Sequence, residues 1–235
     1  MPVFVGRGSA GNWSLRTVKS FILLLAFLLV SCAPPVASVT PRLVSVYVTS
    51  AAYPRVSELY SCAPASIVIS LSDPASAELT VRLGEPSPLT TPAFQVGAED
   101  IIVVNHPQAG VGPLTFDQVR ELFAGQITNW KDVGGNDLPV QVWTFSAGED
   151  IQQLFSRLVM HGRPVSSLAR LAVSSQDMSD SVGRTPGSIG FLPARWKTGN
   201  TREALKAAAV PVLVITRTEP QGPVKELISC LQAAK

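Results

Sequence analysis

LTFDQVRELFAGQITNWKDVGG, running from Leu114 to Gly135, is the stretch whose reading decides the fold. Thr115 stands three residues before Gln118, the spacing at which a hydroxyl and a carboxamide reciprocally satisfy the first free N–H groups of a helix. Phe116, Val119, Leu122 and Phe123 then recur on one face, so the spacing predicts a helix over Thr115–Phe123 that buries that face. Gly125 supplies the left-handed residue that closes such a helix. Trp130 follows the turn and reads as a packing anchor rather than a ligand platform. Downstream, Val140–Thr144 reads as a strand, with Trp143 expected in the core. Ile151, Leu154, Phe155, Leu158 and Val159 give an amphipathic helix at i, i+3, i+4, i+7 and i+8 spacing.

Working outward, strands and helices alternate. Leu43–Thr49 is a β-branched strand, and Tyr53–Ser61 a helix with Pro54 in its first turn. Ile67–Leu71 is a strand, Pro74–Arg82 a short helix, and Phe94–Val96 and Ile101–Val104 two further strands. Ser175–Val182 reads as a helix, and Ser188–Leu192 as a strand after the Pro186-Gly187 turn. Val210–Thr216 is a strand. Val224, Leu227, Ile228 and Leu231 mark a final helix. This alternation predicts an α/β architecture with largely parallel sheets.

The pattern resembles the phosphate-type (type 2) periplasmic solute-binding proteins of ABC transporters. Leu114, Thr115, Val119, Phe123, Gly125, Ile127, Asn129, Trp130, Gly134 and Gly135 match that family's run, and Pro186-Gly187-Ser188-Ile189-Gly190-Phe191 is similar to a second motif. Val48–Pro54 is similar to the loop after the first strand, and Glu219-Pro220-x-Gly222 fits before the last helix. The resemblance implies a two-lobed fold, each lobe a mostly parallel sheet flanked by helices. Lobe 1 would combine 43–104 with 195–235 and be shortened, and lobe 2 would span 105–194. It also implies a small-molecule or inorganic anion ligand held in the cleft, and an ABC permease partner.

Such proteins hold oxyanions with hydroxyls and backbone N–H groups at helix N-termini. The resemblance places Thr49, Ser50, Ser72, Ser146, Gly148 and Glu149 as candidate ligand contacts. Thr49 and Ser50 read equally as strand-exit or capping hydroxyls, and Asp73 before Pro74 reads as an N-cap. Where the family resembles Gly-Ser-Gly-Thr-Arg, this chain has Glu149, Ile151 and Gln152 at the Ser, Thr and Arg positions. Two hydroxyls and a cation are replaced, and the carboxylates of Glu149 and Asp150 are added. Either these face the cleft and select a cationic or polyhydroxy ligand, or they only cap their helix, with Ser146 and Glu149 as a capping box. Capping is the expectation on propensity.

Before all this lies a leader. Arg7, Arg16 and Lys19 precede an apolar stretch from Phe21 to Val30, too short to span a bilayer, which needs about 20 apolar residues. Ser31-Cys32 follows, so 1–31 reads as a lipoprotein signal peptide, with Cys32 as the lipidation site. Residues 32–42 form a Pro/Ser-rich tether. The expected location is outside the cytoplasm, lipid-anchored to the cell membrane and facing the periplasm or exterior. The formal charge of +2 loses those three cations with the leader and becomes −1, which gives no basis for nucleic-acid binding. A monomer is expected.

Cys62 and Cys230 remain as a possible disulfide or as two buried thiols. There is no CxxC, metal-spaced Cys/His cluster, nucleotide fingerprint or G-x-S-x-G elbow, so neither metal, cofactor nor catalysis is expected. His106 falls at the hinge and His161 at a helix end. The function expected is solute binding for an ABC-type transporter. The alternative is a non-transport sensor or protein-interaction lipoprotein with a degenerate site.

Overall fold

The computed structural model describes residues 40–234. The expected signal peptide, Cys32 and the expected tether up to Val39 lie outside the described residues. The described chain forms a single compact unit around eight strands in the order β2-β1-β3-β8-β4-β7-β5-β6. These are β1 (Arg42–Val48), β2 (Ile67–Leu71), β3 (Leu79–Leu83), β4 (Ala93–Asn105), β5 (Gln141–Thr144), β6 (Arg170–Leu171), β7 (Ser188–Pro193) and β8 (Arg202–Thr216). Five helices flank them: α1 (Val56–Cys62), α2 (Phe116–Ala124), α3 (Asp150–Leu158), α4 (Ser175–Arg184) and α5 (Gly222–Ala233).

The spine is the antiparallel β4–β8 pair, in register from Ala93↔Ile215 to Asn105↔Arg202. At one end β8 continues the sheet through antiparallel β3 and then parallel β1 and β2. At the other end β4 continues it through antiparallel β7 and then parallel β5 and β6. Two parallel halves thus hang from opposite sides and opposite ends of one long ribbon. This is the arrangement of the type 2 periplasmic-binding fold. Strands that are parallel within each half put all their carboxyl ends on one side, where α/β sheets usually bind ligands.

The core follows the patterning. In β1, Val44 and Val46 are buried, and in β3 Leu79, Val81 and Leu83, each set alternating with more exposed neighbours. The second half is aromatic. Phe155 stacks on Phe191 at 3.8 Å between centroids, and Phe123 and Phe145 meet the same cluster edge-on or tilted. Such pairs add about 0.5–1.5 kcal/mol each beyond their buried area. The capping box of α2 forms with both hydrogen bonds between Thr115 and Gln118, and Gly125 closes the helix at φ 74°. Trp130 is fully buried, and its indole N–H donates to the Gly187 carbonyl at 2.8 Å. This contact ties together the two stretches that carry the sequence resemblance.

Several expectations need correction. Pro74–Arg82 is not a helix: Asp73 accepts from the N–H groups of Ala75 and Ser76 and from the Ser76 hydroxyl in a turn, and the chain then enters β3. The Leu79–Leu83 alternation, LTVRL, has a period of two and overrides the helix start suggested by Asp73-Pro74. The two strands at Phe94–Val96 and Ile101–Val104 are one continuous strand, β4. β8 begins eight residues earlier than read, at Arg202 rather than Val210, through a Lys/Glu/Ala-rich segment of low strand propensity that pairing with β4 imposes. Trp143 is only half-buried: its indole N–H donates to the Ser188 hydroxyl and the Arg170 guanidinium lies 5.7 Å over its ring.

Cys62 of α1 and Cys230 of α5 are joined by a disulfide across 168 residues. It pins the last helix to the first.

Candidate functional site

The carboxyl ends of β1 and β3 lie side by side, because the two strands pair in parallel from Val46↔Leu79 to Val48↔Val81. β1 ends at Val48, so Thr49 and Ser50 project from its carboxyl end, and the Leu83 N–H points out from the end of β3. An N–H and two hydroxyls at strand ends form a donor set suited to an oxyanion.

In this chain an acceptor from the other half of the sheet already meets them. The Thr49 hydroxyl donates to Asp150 Oδ2 at 2.7 Å, and the Leu83 N–H donates to the same oxygen at 2.8 Å. The other oxygen of Asp150 accepts from the Ile151 N–H at 2.8 Å. Ser50 donates to Glu149 Oε2 at 2.7 Å. Asp150 is 3% exposed and opens α3, which follows the carboxyl end of β5. The contact therefore bridges the two parallel halves across the place where a ligand would enter.

Close packing supports the bridge. Gly84, at φ 63°, lies so near Leu154 of α3 that an added Cβ would fall 2.5 Å from its methyl group. The left-handed turn favours glycine, and any larger residue there would have to push the Leu154 side chain aside.

Two titratable neighbours register the charge. The Arg82 guanidinium is held below its ordinary range chiefly by burial. The Asp150 carboxylate acts against that shift and Arg157 adds to it. The Tyr47 phenol is pushed above its ordinary value of 10.0, first by burial and then by the negative charges of Glu149 and Asp150.

Glu149 stands at the N-cap of α3 but makes no side-chain cap hydrogen bond there, so the expected Ser146–Glu149 capping box does not form. The carboxylate finds a stronger partner in Ser50, a charge-assisted hydrogen bond across the cleft. Ser146 and Gly148 are exposed and their carbonyls are used locally: that of Ser146 accepts from the Glu149 N–H at 3.0 Å and that of Gly148 from the Gln153 side-chain amide at 3.4 Å. Ser72 hydrogen-bonds its own neighbourhood, to Asp73 and Val46, and has no bond to the carboxylate pair. Gln152 turns into its own half, where its carbonyl oxygen accepts from the Thr144 hydroxyl and the Phe145 N–H. The cation it replaces has no counterpart at that position.

Of the six sequence candidates, the structure brings together Thr49, Ser50 and Glu149. Asp150, Leu83, Arg82 and Tyr47 complete the group. Arg82 and Leu83 were hidden by the misread helix over 74–82. A β-branched alternation ending in Arg82-Leu83-Gly84 was the signal that could have exposed them.

His106 is buried at the end of β4, and its Nδ1 accepts from the Gln108 N–H at 3.1 Å. His161 occupies a left-handed turn after α3 at φ 51°. A surface cavity of about 380 Å³ lies at the amino end of β1, lined by Arg42, Glu78, Arg217 and Glu219. It is at the opposite end of the strand from Thr49 and plays no part in the cleft. Among the described residues no group of three or more His, Cys, Asp or Glu is placed to hold a metal, and no helix is long and apolar enough to cross a membrane.

One eight-stranded sheet whose two parallel halves hang on the β4–β8 pair, flanked by helices, defines the type 2 periplasmic-binding fold class. The chain belongs to the PBP superfamily, whose domain model matches residues 84–232. It is similar to the phosphate-binding protein PstS of Bacillus subtilis (strain 168), with 26% identity over 117 residues. That match covers 49% of this chain and 38% of the relative, well under two thirds of the relative's length. Among solved structures, an ABC transporter substrate-binding protein of Clostridium perfringens with bound phosphate superposes with TM-score 0.71 at 17% identity, covering 81% of this chain and 93% of that one. An ABC-type phosphate transport receptor of Vibrio cholerae gives TM-score 0.64 at 19% identity, covering 80% and 93%. These two likenesses show the shared fold.

Proposed function

We propose that this chain is an extracytoplasmic solute-binding protein, anchored through lipid on Cys32, that serves an ABC-type transporter. Its solute is polyhydroxy or cationic rather than free phosphate. The observation that carries this reading is the bond from Thr49 and Leu83 to Asp150 across the two halves. The donors that a phosphate-binding-like cleft would offer to its solute face carboxylates of the chain itself. A phosphate dianion entering there would meet like charge a few ångströms away, a repulsion of about 1–4 kcal/mol per pair at surface-like dielectric. A sugar or polyamine would instead compete for the carboxylates of Glu149 and Asp150 as acceptors, displacing the Ser50 and Thr49 hydroxyls from them. The leader sequence supports export and anchoring, and the family supports a permease partner and a role without catalysis.

A second reading has its own support. The donors of the cleft are fully matched with no solute, so the same body suits a sensor or protein-interaction lipoprotein that has lost small-molecule binding. A thermal-shift screen of the full-length chain against phosphate, sulfate, sugars, amino acids and polyamines separates the two. A solute at 100 times its dissociation constant adds about 2.7 kcal/mol of stability. A shift with a sugar or polyamine is the expected result. A shift with phosphate alone would overturn the proposed selectivity, and silence across the panel would favour the interaction role.

A further inference from the structure

We infer that Asp150, assisted by Glu149, is a tethered stand-in for a ligand anion: it occupies the oxyanion seat formed by Thr49 and Leu83 and holds the two halves of the fold together without a solute. The inference rests on the cleft being the binding site, and it concerns what fills the cleft rather than which solute is transported.

The geometry points to this role in three ways. First, the donors are of the kind that hold oxyanions, a hydroxyl and a backbone N–H converging on a single oxygen at 2.7 and 2.8 Å. Ser50 adds a second hydroxyl, directed at Glu149. Second, the acceptor comes from the far side. Asp150 is 101 residues from Thr49 and 67 from Leu83 in sequence, and reaches them only because α3 abuts the ends of β1 and β3. Third, a charged neighbour is already present. Arg82 leaves β3 one residue before Leu83, and its guanidinium senses the Asp150 charge. A carboxylate in this setting makes the contacts that one face of a sulfate or phosphate would make, so a free oxyanion finds its donors taken. Because the carboxylate is part of the chain, its effective concentration at the seat does not fall when solute is scarce. A partner that recognises the closed arrangement would therefore meet it in the absence of any solute.

Removing the tethered anion should reopen the seat. In Asp150→Ser combined with Glu149→Ser, phosphate or sulfate should bind at least tenfold more tightly than to the native chain, measured by isothermal titration on the full-length protein. Adding Thr49→Val should abolish the gain, which places the anion at this seat. Asp150→Asn keeps the shape and the acceptor oxygen but removes the charge. It should stay closed and gain little, and it also serves as the variant that folds if the double change does not. Small-angle scattering without ligand should show the double variant more extended than the native chain and contracting when sulfate is added. Native protein that binds phosphate as tightly as the double variant would overturn the inference. So would a folded double variant that binds no oxyanion, or a gain that survives Thr49→Val. None of these depends on whether a sugar or polyamine binds the native chain, so this inference can fail while the proposed solute class stands, and the reverse.

Discussion

Leu114–Gly135 and Ser146–Gln152 belong to the same half of the sheet, yet they relate to the rest of the chain in opposite ways. In the first, the important contacts are either local or point into a shared core. Thr115 and Gln118 cap one another three residues apart, and Trp130 sinks beneath the Pro186-Gly187 turn. In the second, Glu149 makes no cap bond to the nearby helix terminus and Asp150 gives it only one oxygen, through the Ile151 N–H, while both carboxylates bond to Ser50, Thr49 and Leu83, 67 to 101 residues away. The first stretch carries the sequence resemblance, and the second carries the bonds that join the two halves of the sheet. Positions that fill a core are fixed by the shape of the fold, whereas positions lining a cleft are free to change with what the cleft holds.

Substitutions can break either side of this contrast. The largest effect belongs to Trp130→Ala, which empties a fully buried site and removes one of the two hydrogen bonds that the Gly187 carbonyl accepts, the other coming from the Gln141 N–H. It should lower stability by about 3–5 kcal/mol in urea unfolding while leaving the ligand profile of whatever remains folded unchanged. A loss under about 1 kcal/mol would mean that the anchor is not what holds the two matched stretches together.

Next comes Asp150→Ala, which leaves the Thr49 hydroxyl and the Leu83 N–H unpartnered in a buried place. The expected loss is about 1–3 kcal/mol, accompanied, unlike Trp130→Ala, by a changed response to oxyanions. Equal stability and an unchanged response together would show that the bridge is incidental.

The smallest effect is on Tyr47. Its folded phenol holds its proton more tightly than the unfolded chain does, so its contribution to stability is fully present below pH 10.0 and is lost as pH rises through the raised folded value. Asp150→Asn removes one of the charges behind that shift but not burial, the larger cause. A spectrophotometric titration should show the slow-titrating tyrosine moving part of the way back toward its ordinary value. No movement would place Asp150's charge away from Tyr47.

Much of the fold was legible because its signals are short-range. The i, i+3, i+4 spacing of α2 and α3, the β-branched runs of β1 and β2, and the Gly125 stop each need only a window of about a dozen residues. The misreadings occur where that window misleads. Asp73-Pro74 looks like a helix start, but its hydrogen bonds close a turn. The segment from Arg202 to Ala209 carries no strand signal, yet it runs antiparallel to β4 and becomes part of the spine. The site was legible only in half. Its hydroxyls could be placed by position after a strand, but their acceptors sit on an element far away in the chain.

The sequence by itself determined the alternation of elements, the capped helix with its tryptophan anchor, and the presence of two carboxylates, Glu149 and Asp150, at the start of the next helix. Those are properties of residue type and local spacing, which the chain carries whether folded or not. Only the tertiary structure decided what the new carboxylates do. A bond to the helix terminus and a bond across to the other half are both open to Glu149 and Asp150; Asp150 makes both, one with each oxygen, whereas Glu149 makes only the second. The choice is made by where α3 lies relative to the ends of β1 and β3, a distance set by the packing of the whole sheet, including the close approach of Gly84 to Leu154.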